Sequence, residues 1–193
     1  MNVGKPVGDD APGRRQRESV GAIDTIARRA QGLAGFVTRY RQMAELPEPV
    51  LENVPLQAFA DSIRTLMKQR LDGVRSTSRI EADSMTADSD LLSQAVINLL
   101  HNAADAVAGS NDPAIELVCR REDEAFLISV TDNGKGVPAE FTEDIFVPFF
   151  TTKSGGSGIG LAIVRQIALK HGGRVEAESN APHGSVFKLI LPH

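Results

Sequence analysis

The sequence predicts an α+β fold, a two-layer sandwich in which helices cover one face of a mixed, mostly antiparallel sheet, preceded by a long helix. Helical and strand-like apolar periods alternate along residues 47–193, which is typical of such folds. Segments 114–121 and 125–131 are strand-like and only a short charged turn separates them, which predicts an antiparallel hairpin. The last strand-like segment has one apolar face that needs a covering layer, formed by Phe187, Leu189 and Leu191.

Composition excludes several classes of protein. The 193 residues are enough for one domain with an appendage. The net charge is -4 with both signs mixed, so we expect no nucleic-acid partner, which would need a clustered basic surface. Cys119 is the only cysteine, so no disulfide can form within the chain. No apolar run is long enough to span a bilayer and no signal peptide begins the chain.

The N-terminal part divides into an arm and a helix. Residues 1–17 contain three glycines, two prolines and few apolar side chains, so we expect a flexible arm. Residues 18–46 carry apolar side chains at alternating three- and four-residue steps, which favours a bundle helix that dimerises with a second copy. The alternative is a single helix that packs on its own domain. The members of this seam are Val20, Ile23, Ala27, Ala30, Ala34, Val37 and Ala44.

The third predicted domain comprises residues 47–193. Pro47 and Pro49 end the long helix and form a short stiff linker. Asp88 or Ser89 can cap a later helix. The predicted elements are an extended segment at 51–54, a helix at 56–71, a strand at 75–82, a helix at 88–107, the hairpin strands, irregular sequence to 156, a helix to 170, and strands at 174–179 and 185–191.

The predicted helix 88–107 carries an unusual polar pair. Asn98 and Asn102 lie one turn apart, on a different face from the apolar stripe. Asparagine is a poor helix former, so two of them at this spacing need a reason. An amide oxygen is a suitable ligand for Mg²⁺. The alternative is a pair of solvent-facing polar residues.

Two glycine-rich segments flank a cluster of phenylalanines. Residues 132–136 read Asp-Asn-Gly-Lys-Gly, which suits either an ordinary turn or a ligand loop. Residues 146–150 form an apolar cluster around a proline, as in the hinge of a mobile lid or a small core beneath a loop. Residues 156–161 open a helix whose free amides suit phosphate. Ile163 stands where a dinucleotide fingerprint needs glycine, and no G-K-[ST] is present for a P-loop.

Four segments occur in one order: 98–103, 132–136, 146–150 and 156–161. Together they resemble the N, G1, F and G2 boxes of the GHKL superfamily, the ATP-binding fold of sensor histidine kinases, gyrase and a heat-shock chaperone. The resemblance covers roughly residues 47 to 192, and within the superfamily the sequence is most similar to nitrogen-regulation-type sensor kinases.

This resemblance implies ATP and Mg²⁺ as cofactors, with Asn102 as the metal ligand. Asn98 stands where water-splitting relatives carry a glutamate, and an amide cannot act as general base, so we expect ATP to be held without efficient hydrolysis. His101 either faces the phosphates or is a surface histidine. Asp132, expected in a loop outside the core, would accept a hydrogen bond from the adenine amine.

Lys153, the only cation between the phenylalanines and Gly156, is assigned to the terminal phosphates. Ser185, before the last strand, resembles a family element near adenine. The full set predicted to bind ATP is Asn98, His101, Asn102, Asp132, Gly134, Gly136, Val137, Thr152, Lys153, Gly156, Ser157, Gly158, Ile159, Gly160, Leu161 and Ser185.

The resemblance also implies a histidine that the kinase phosphorylates. None of the four histidines of this chain has the expected acidic and proline neighbours or lies on the bundle helix. We therefore expect a fragment of a longer sensor histidine kinase, whose partners are a phosphoacceptor hairpin, a response regulator receiver domain and a second copy of the chain. We expect a cytoplasmic location, whether or not the parent protein is anchored in the inner membrane. The alternative function is a nucleotide-gated dimerisation or partner-binding module without phosphotransfer.

Overall fold

A computed structural model describes residues 45–153 and 156–193, together with the single positions Gly32, Gly35, Val37 and Arg41. The predicted arm and most of the predicted bundle helix lie outside the described residues, so the dimerisation seam stays a prediction. The chain divides into two compact units, Met1–Gln42 and Met43–His193, and every element with described bounds belongs to the second.

The second unit contains seven strands and three helices among the described residues. In chain order they are β1 (Glu52–Pro55), α1 (Leu56–Met67), β2 (Arg75–Ile80), β3 (Ser84–Ala87), α2 (Ser89–Ala106), β4 (Ala114–Glu122), β5 (Ala125–Asp132), α3 (Gly160–Lys170), β6 (Arg174–Ser179) and β7 (Ser185–Pro192). Two short 3₁₀ turns, Ala139–Phe141 and Asp144–Phe146, lie between β5 and α3. None of the described helices is both long and apolar enough to cross a bilayer.

The main sheet has five strands in the order β2-β4-β5-β7-β6, and only the β2–β4 pair is parallel. The predicted hairpin is confirmed, because β4 and β5 pair antiparallel up to Glu122 and Ala125. In β7, Phe187, Leu189 and Leu191 are buried, whereas the residues between them are partly exposed. The mixed, mostly antiparallel sheet of the prediction is therefore present, although the long N-terminal helix is not described.

The structure contains a small second sheet that we did not predict from the sequence. β3 pairs antiparallel with β1, in register from Glu52–Ala87 to Pro55–Ser84. The predicted strand at 75–82 therefore ends earlier, and a separate four-residue strand follows it. Met85 and Ala87 are buried, so β3 is defined by its pairing and packing rather than by a local period long enough to detect. Helix α1 is also shorter than the helix predicted at 56–71, because turns follow Met67.

Helix α2 has one face in the core and another that is partly exposed. The buried face packs against α1, α3 and the sheet, and comprises Leu91, Leu92, Ala95, Val96, Leu99, Leu100, Ala103 and Ala104. Asn98, Asn102 and Asp105 are only partly buried. The apolar stripe of the sequence thus fixes the direction in which these polar side chains point, away from the core.

The start of α2 is a junction between three parts of the unit. Asp88 Oδ1 accepts hydrogen bonds from the backbone N–H of Asp90 (3.1 Å) and Leu91 (2.9 Å), which caps the helix. Asp88 Oδ2 accepts from the N–H of Val50 in the linker at 2.8 Å. The N–H of Asp88 donates to His171 Nε2, at the end of α3, at 3.1 Å. Burial opposes the charge, but the amides of Leu91, Val50 and Asp90 outweigh it and lower the pKa of Asp88 below its ordinary 3.8.

Asp88→Ala is expected to lower the free energy of unfolding by about 1–2 kcal/mol at neutral pH, because the first-turn amides and the Val50 amide lose their acceptor. Since the pKa of Asp88 is lower in the folded chain, this stabilisation is present above about pH 4 and disappears as the pH falls through the folded pKa. Urea denaturation of both proteins at neutral and acidic pH measures this. Asp72→Ala, in an exposed turn, is the control, and an equal loss in both variants would contradict the capping role.

Candidate functional site

A cavity of about 270 Å³ lies where α2, the loop after β5, the segment before α3 and the start of β7 meet. Of the residues predicted from the sequence to bind ATP, most line it. These are Asn98, His101, Asn102, Gly136, Val137, Thr152, Lys153, Gly156, Ser157, Gly158, Gly160, Leu161 and Ser185. Four segments separated by up to 87 positions in the chain, from Asn98 to Ser185, therefore converge on one space.

The polar end of α2 meets a lysine from the opposite side of the cavity. Lys153 Nζ donates to Asn102 Oδ1 and to Asp105 Oδ2, both at 2.8 Å. Asp105 Oδ1 also accepts from the guanidinium of Arg70, in the connection after α1. The segment before α3 is thus held against α2 by charge-assisted hydrogen bonds.

Asp132 ends β5 and is 1% exposed, which corrects the expectation that it lies in a loop outside the core. Its Oδ1 accepts from the N–H of Gly134 at 2.8 Å, whereas its Oδ2 is buried and has no hydrogen-bond partner. Burial raises the pKa of Asp132, although the amides of Gly134 and Ser185 and the charge of Lys153 act in the opposite direction. A buried acceptor without a partner is costly, so its place beside Ser185 of the cavity wall suggests a ligand that donates to it.

Hydrogen bonds on both sides fix the loop that follows Asp132. Asn133 Oδ1 accepts from the N–H of Ala114 at 2.9 Å, and its Nδ2 donates to the Asp112 carbonyl at 2.8 Å. The N–H of Lys135 donates to the carbonyl of Ala106, at the end of α2, at 3.3 Å. These bonds tie the loop to α2 and to the start of β4, and they position this wall of the cavity.

Two positions require glycine because the backbone of another segment lies too close for a side chain. A Cβ on Gly134 would overlap the backbone of Ala106, so only glycine lets this loop reach α2. Gly158 has φ +64°, and a Cβ there would lie 2.5 Å from the carbonyl carbon of Phe149. The carbonyl of Gly158 also accepts from the N–H of Phe149 at 2.8 Å. This contact closes the base of the segment that carries Lys153.

Three predicted residues do not line the cavity. Asp132 is buried, and it pairs in register with Ser185, which lines the cavity. Gly134 packs against Ala106, so it shapes the wall without reaching the space. Ile159 is 1% exposed and belongs to the core. The motif residues therefore include both cavity-lining residues and residues that only hold them in place.

Several lining residues were missed from the sequence. Asp105 was detectable, because it follows Asn98 and Asn102 by seven and three positions on the same helix face. Phe141 and Ile145 lie in or beside the 3₁₀ turns, where no period marks them. Phe141 and Phe150 pack with ring centroids 5.4 Å apart, so they join the cavity through tertiary contact. The other missed lining residues are Ala106, Lys135, Pro138 and Thr151.

The donor set fits a magnesium nucleotide better than a metal held by protein alone. Among the described residues, no three His, Cys, Asp or Glu side chains cluster to hold a metal ion. Asn102 offers one neutral oxygen, so a divalent ion there would take its other oxygens from a bound ligand and from water. Apolar side chains such as Val137 and Ile145 share the cavity with these polar groups, which suits a molecule with one flat and one charged part.

Comparison with known proteins gives the family. Residues 87–193 match the family described as histidine kinase-, DNA gyrase B-, and HSP90-like ATPase. The sensor histidine kinase ZraS of Escherichia coli (strain K12) is 32% identical over 171 residues, 86% of this chain and 36% of that protein. The nitrogen regulation protein NtrY of Azorhizobium caulinodans is 32% identical over 167 residues, 83% of this chain and 22% of that protein. The solved mycobacterial sensor histidine kinase MprB has a TM-score of 0.67 and 29% identity, over 74% of this chain and 97% of that chain.

The chain thus spans about a third or less of the length of these two curated relatives. The nitrogen-regulation-type likeness inferred from the motifs is confirmed by the NtrY relative. Since the family match covers more than half of the chain and contains all four motifs, the chain belongs to the histidine kinase-, DNA gyrase B- and HSP90-like ATPase family.

Proposed function

We propose that this chain is the ATP-binding catalytic portion of a two-component sensor histidine kinase, and that it transfers the γ-phosphoryl group of ATP to a histidine outside this sequence. The observation that carries the proposal is a cavity lined by the Asn98 and Asn102 side chains of α2, by Lys153 and by the glycine-rich start of α3. The sensor kinases among its relatives support the same reaction.

The adenine ring would lie against Ser185, with its exocyclic amine donating to Asp132 Oδ2. That oxygen is buried without a partner, so the amine would satisfy an acceptor that is otherwise costly. Guanine presents a carbonyl at the same place, which would repel the carboxylate. One residue would therefore select the base.

The phosphates would lie between Lys153 and the first amides of α3. Free N–H groups at a helix start favour anions, and glycines 158 and 160 leave them accessible. Asn102 would hold Mg²⁺, which when bound neutralises phosphate charge. Asn98 has no basic group to activate water, so ATP would persist until a histidine ring approaches. The ring nitrogen would then form a bond to the γ-phosphorus as the bond to the ADP oxygen breaks.

His101 is exposed at the cavity edge. His101 directly precedes Asn102 on α2, and both residues line the cavity. This position supports the interpretation in which His101 approaches the phosphates.

The partners of the proposed kinase are a phosphoacceptor hairpin, a response regulator receiver domain and a second copy of this chain. The dimer contact would be the heptad seam within residues 18–46, and light scattering across a concentration series would detect it. Use of ATP as donor would place the domain in the cytoplasm.

The reaction itself is tested by incubating the chain with γ-labelled ATP and a separately supplied hairpin that carries a phosphoacceptor histidine. Acid-labile label on the hairpin is the expected result, because the chain contributes positioning and charge rather than a covalent step. ATP binding without any transfer, across hairpins from several sensor kinases, would favour the nucleotide-gated binding module instead.

Asn102→Ala is expected to weaken Mg²⁺–ATP binding at least about tenfold, consistent with the roughly 1–3 kcal/mol that an unpaired polar contact costs. Calorimetric titration measures the dissociation constant. Titration in EDTA is the internal control, where the variant should lose much less affinity. Asn111→Ala, in an exposed turn, should bind as the unchanged chain does. An unchanged affinity of the Asn102 variant would reject the metal assignment.

Asp132→Asn is expected to reduce the preference for ATP over GTP at least about tenfold, because the amide can donate to the guanine carbonyl where the carboxylate repels it. The isosteric change keeps an acceptor for Gly134, which matters because Asp132 is buried. Competition titrations with both nucleotides give the ratio, and Asp112→Asn on the exposed turn is the matched control. A wild-type chain that binds both nucleotides equally would contradict this role of Asp132.

A further inference from the structure

Lys153 contacts the side-chain oxygen that the proposed function assigns to the metal ion. Its ammonium donates to Asn102 Oδ1 at 2.8 Å, the same atom that the proposed function assigns to Mg²⁺. It also donates to Asp105 Oδ2 at 2.8 Å. A monovalent cation and a divalent cation on one amide oxygen repel each other strongly at such short range. Lysine and metal therefore compete for Asn102.

Asp105 decides how firmly the lysine is held there. Asn102 is neutral and offers only a dipole, whereas Asp105 supplies a full negative charge to the same ammonium. The Lys153 and Asp105 side chains are 30% and 37% exposed, so the pair is only partly screened by water. Arg70 binds the other oxygen of Asp105, which fixes the carboxylate in the direction of Lys153.

Two backbone hydrogen bonds of Lys153 stay close to it in the chain. The N–H of Lys153 donates to Thr151 Oγ1 at 3.1 Å, and the N–H of Gly156 donates to the Lys153 carbonyl at 3.2 Å. Both bonds are local, within the segment. The hydrogen bonds of Lys153 that reach α2 come from its side chain.

We propose that Asp105 is a positioning residue that holds the Lys153 ammonium on the Mg²⁺ ligand Asn102, and that binding of Mg²⁺–ATP must break this ion pair. The inference rests on the proposed nucleotide site. The ammonium moves from the oxygens of Asn102 and Asp105 to phosphate oxygens, while Arg70 remains to neutralise Asp105. Asp105 therefore opposes nucleotide binding for as long as it holds the Lys153 ammonium on Asn102.

A double-mutant cycle separates this role from simple charge repulsion. Asp105→Asn removes a negative charge near the phosphates, so some tightening of Mg²⁺–ATP binding is expected in any background. If Asp105 acts through Lys153, the tightening is about two- to fivefold larger with Lys153 present than in the Lys153→Met background, the range for a partly exposed ion pair. Asp61→Asn, a half-exposed aspartate that pairs with Arg64 on α1, is the matched control and should change nothing.

A second measurement needs no nucleotide. Amide exchange of Lys153 and Gly156, followed by NMR in buffer alone, should be faster in Asp105→Asn and unchanged in Asp61→Asn. Equal effects of Asp105→Asn in both backgrounds of the cycle, or unchanged exchange at these two amides, would overturn the proposal. A wild-type chain that binds no ATP would instead reject the proposed function, and the exchange experiment would still decide the role of Asp105.

Discussion

The structure depends above all on the two-sided character of α2. Its apolar face is buried completely at Leu92, Ala95, Val96 and Leu99, so the rotation of the helix about its axis is fixed by the core. A helix that cannot rotate presents its other face in one direction only. Asn98, Asn102 and Asp105 therefore line the cavity because of where the leucines and alanines pack, and the chemistry of the site follows from hydrophobic burial at the same element.

Against this fixed helix, the remaining walls are placed by short polar contacts. The loop after β5 is tied to α2 through Lys135 and to the start of β4 through Asn133. The first turn of α3 approaches so closely that a Cβ on Gly160 would lie 3.2 Å from Asn98 Oδ1. The start of α3 and the side-chain amides of Asn98 and Asn102 thus line the same cavity. A ligand with several charged oxygens is what those groups together can satisfy.

The burial of Asp132 is unfavourable for the stability of the fold. Its Oδ2 is buried with no partner, and desolvation of an unpaired acceptor costs about 1–3 kcal/mol. The same burial raises the pKa of Asp132, because the charged form of a carboxyl group is disfavoured away from water. The junction at Asp88 is the opposite case, because every oxygen of that carboxylate is satisfied and its pKa is lowered. The Asp88 carboxylate stabilises the fold, whereas Asp132 would gain a partner from the nucleotide proposed above.

The sequence by itself determined the local elements and the chemical character of the site. Apolar periods gave α2, the β4–β5 hairpin and the buried face of β7, because these patterns repeat within a few residues and depend on local geometry. The order of the four motifs was enough to indicate the family and most of the lining residues. Only the tertiary structure decided the rest. The β1–β3 pair, the burial of Asp132 and the position of Lys153 on Asp105 arise from contacts between residues 29 to 48 positions apart in the chain. No local period records such contacts, since they form only when separate elements pack against one another.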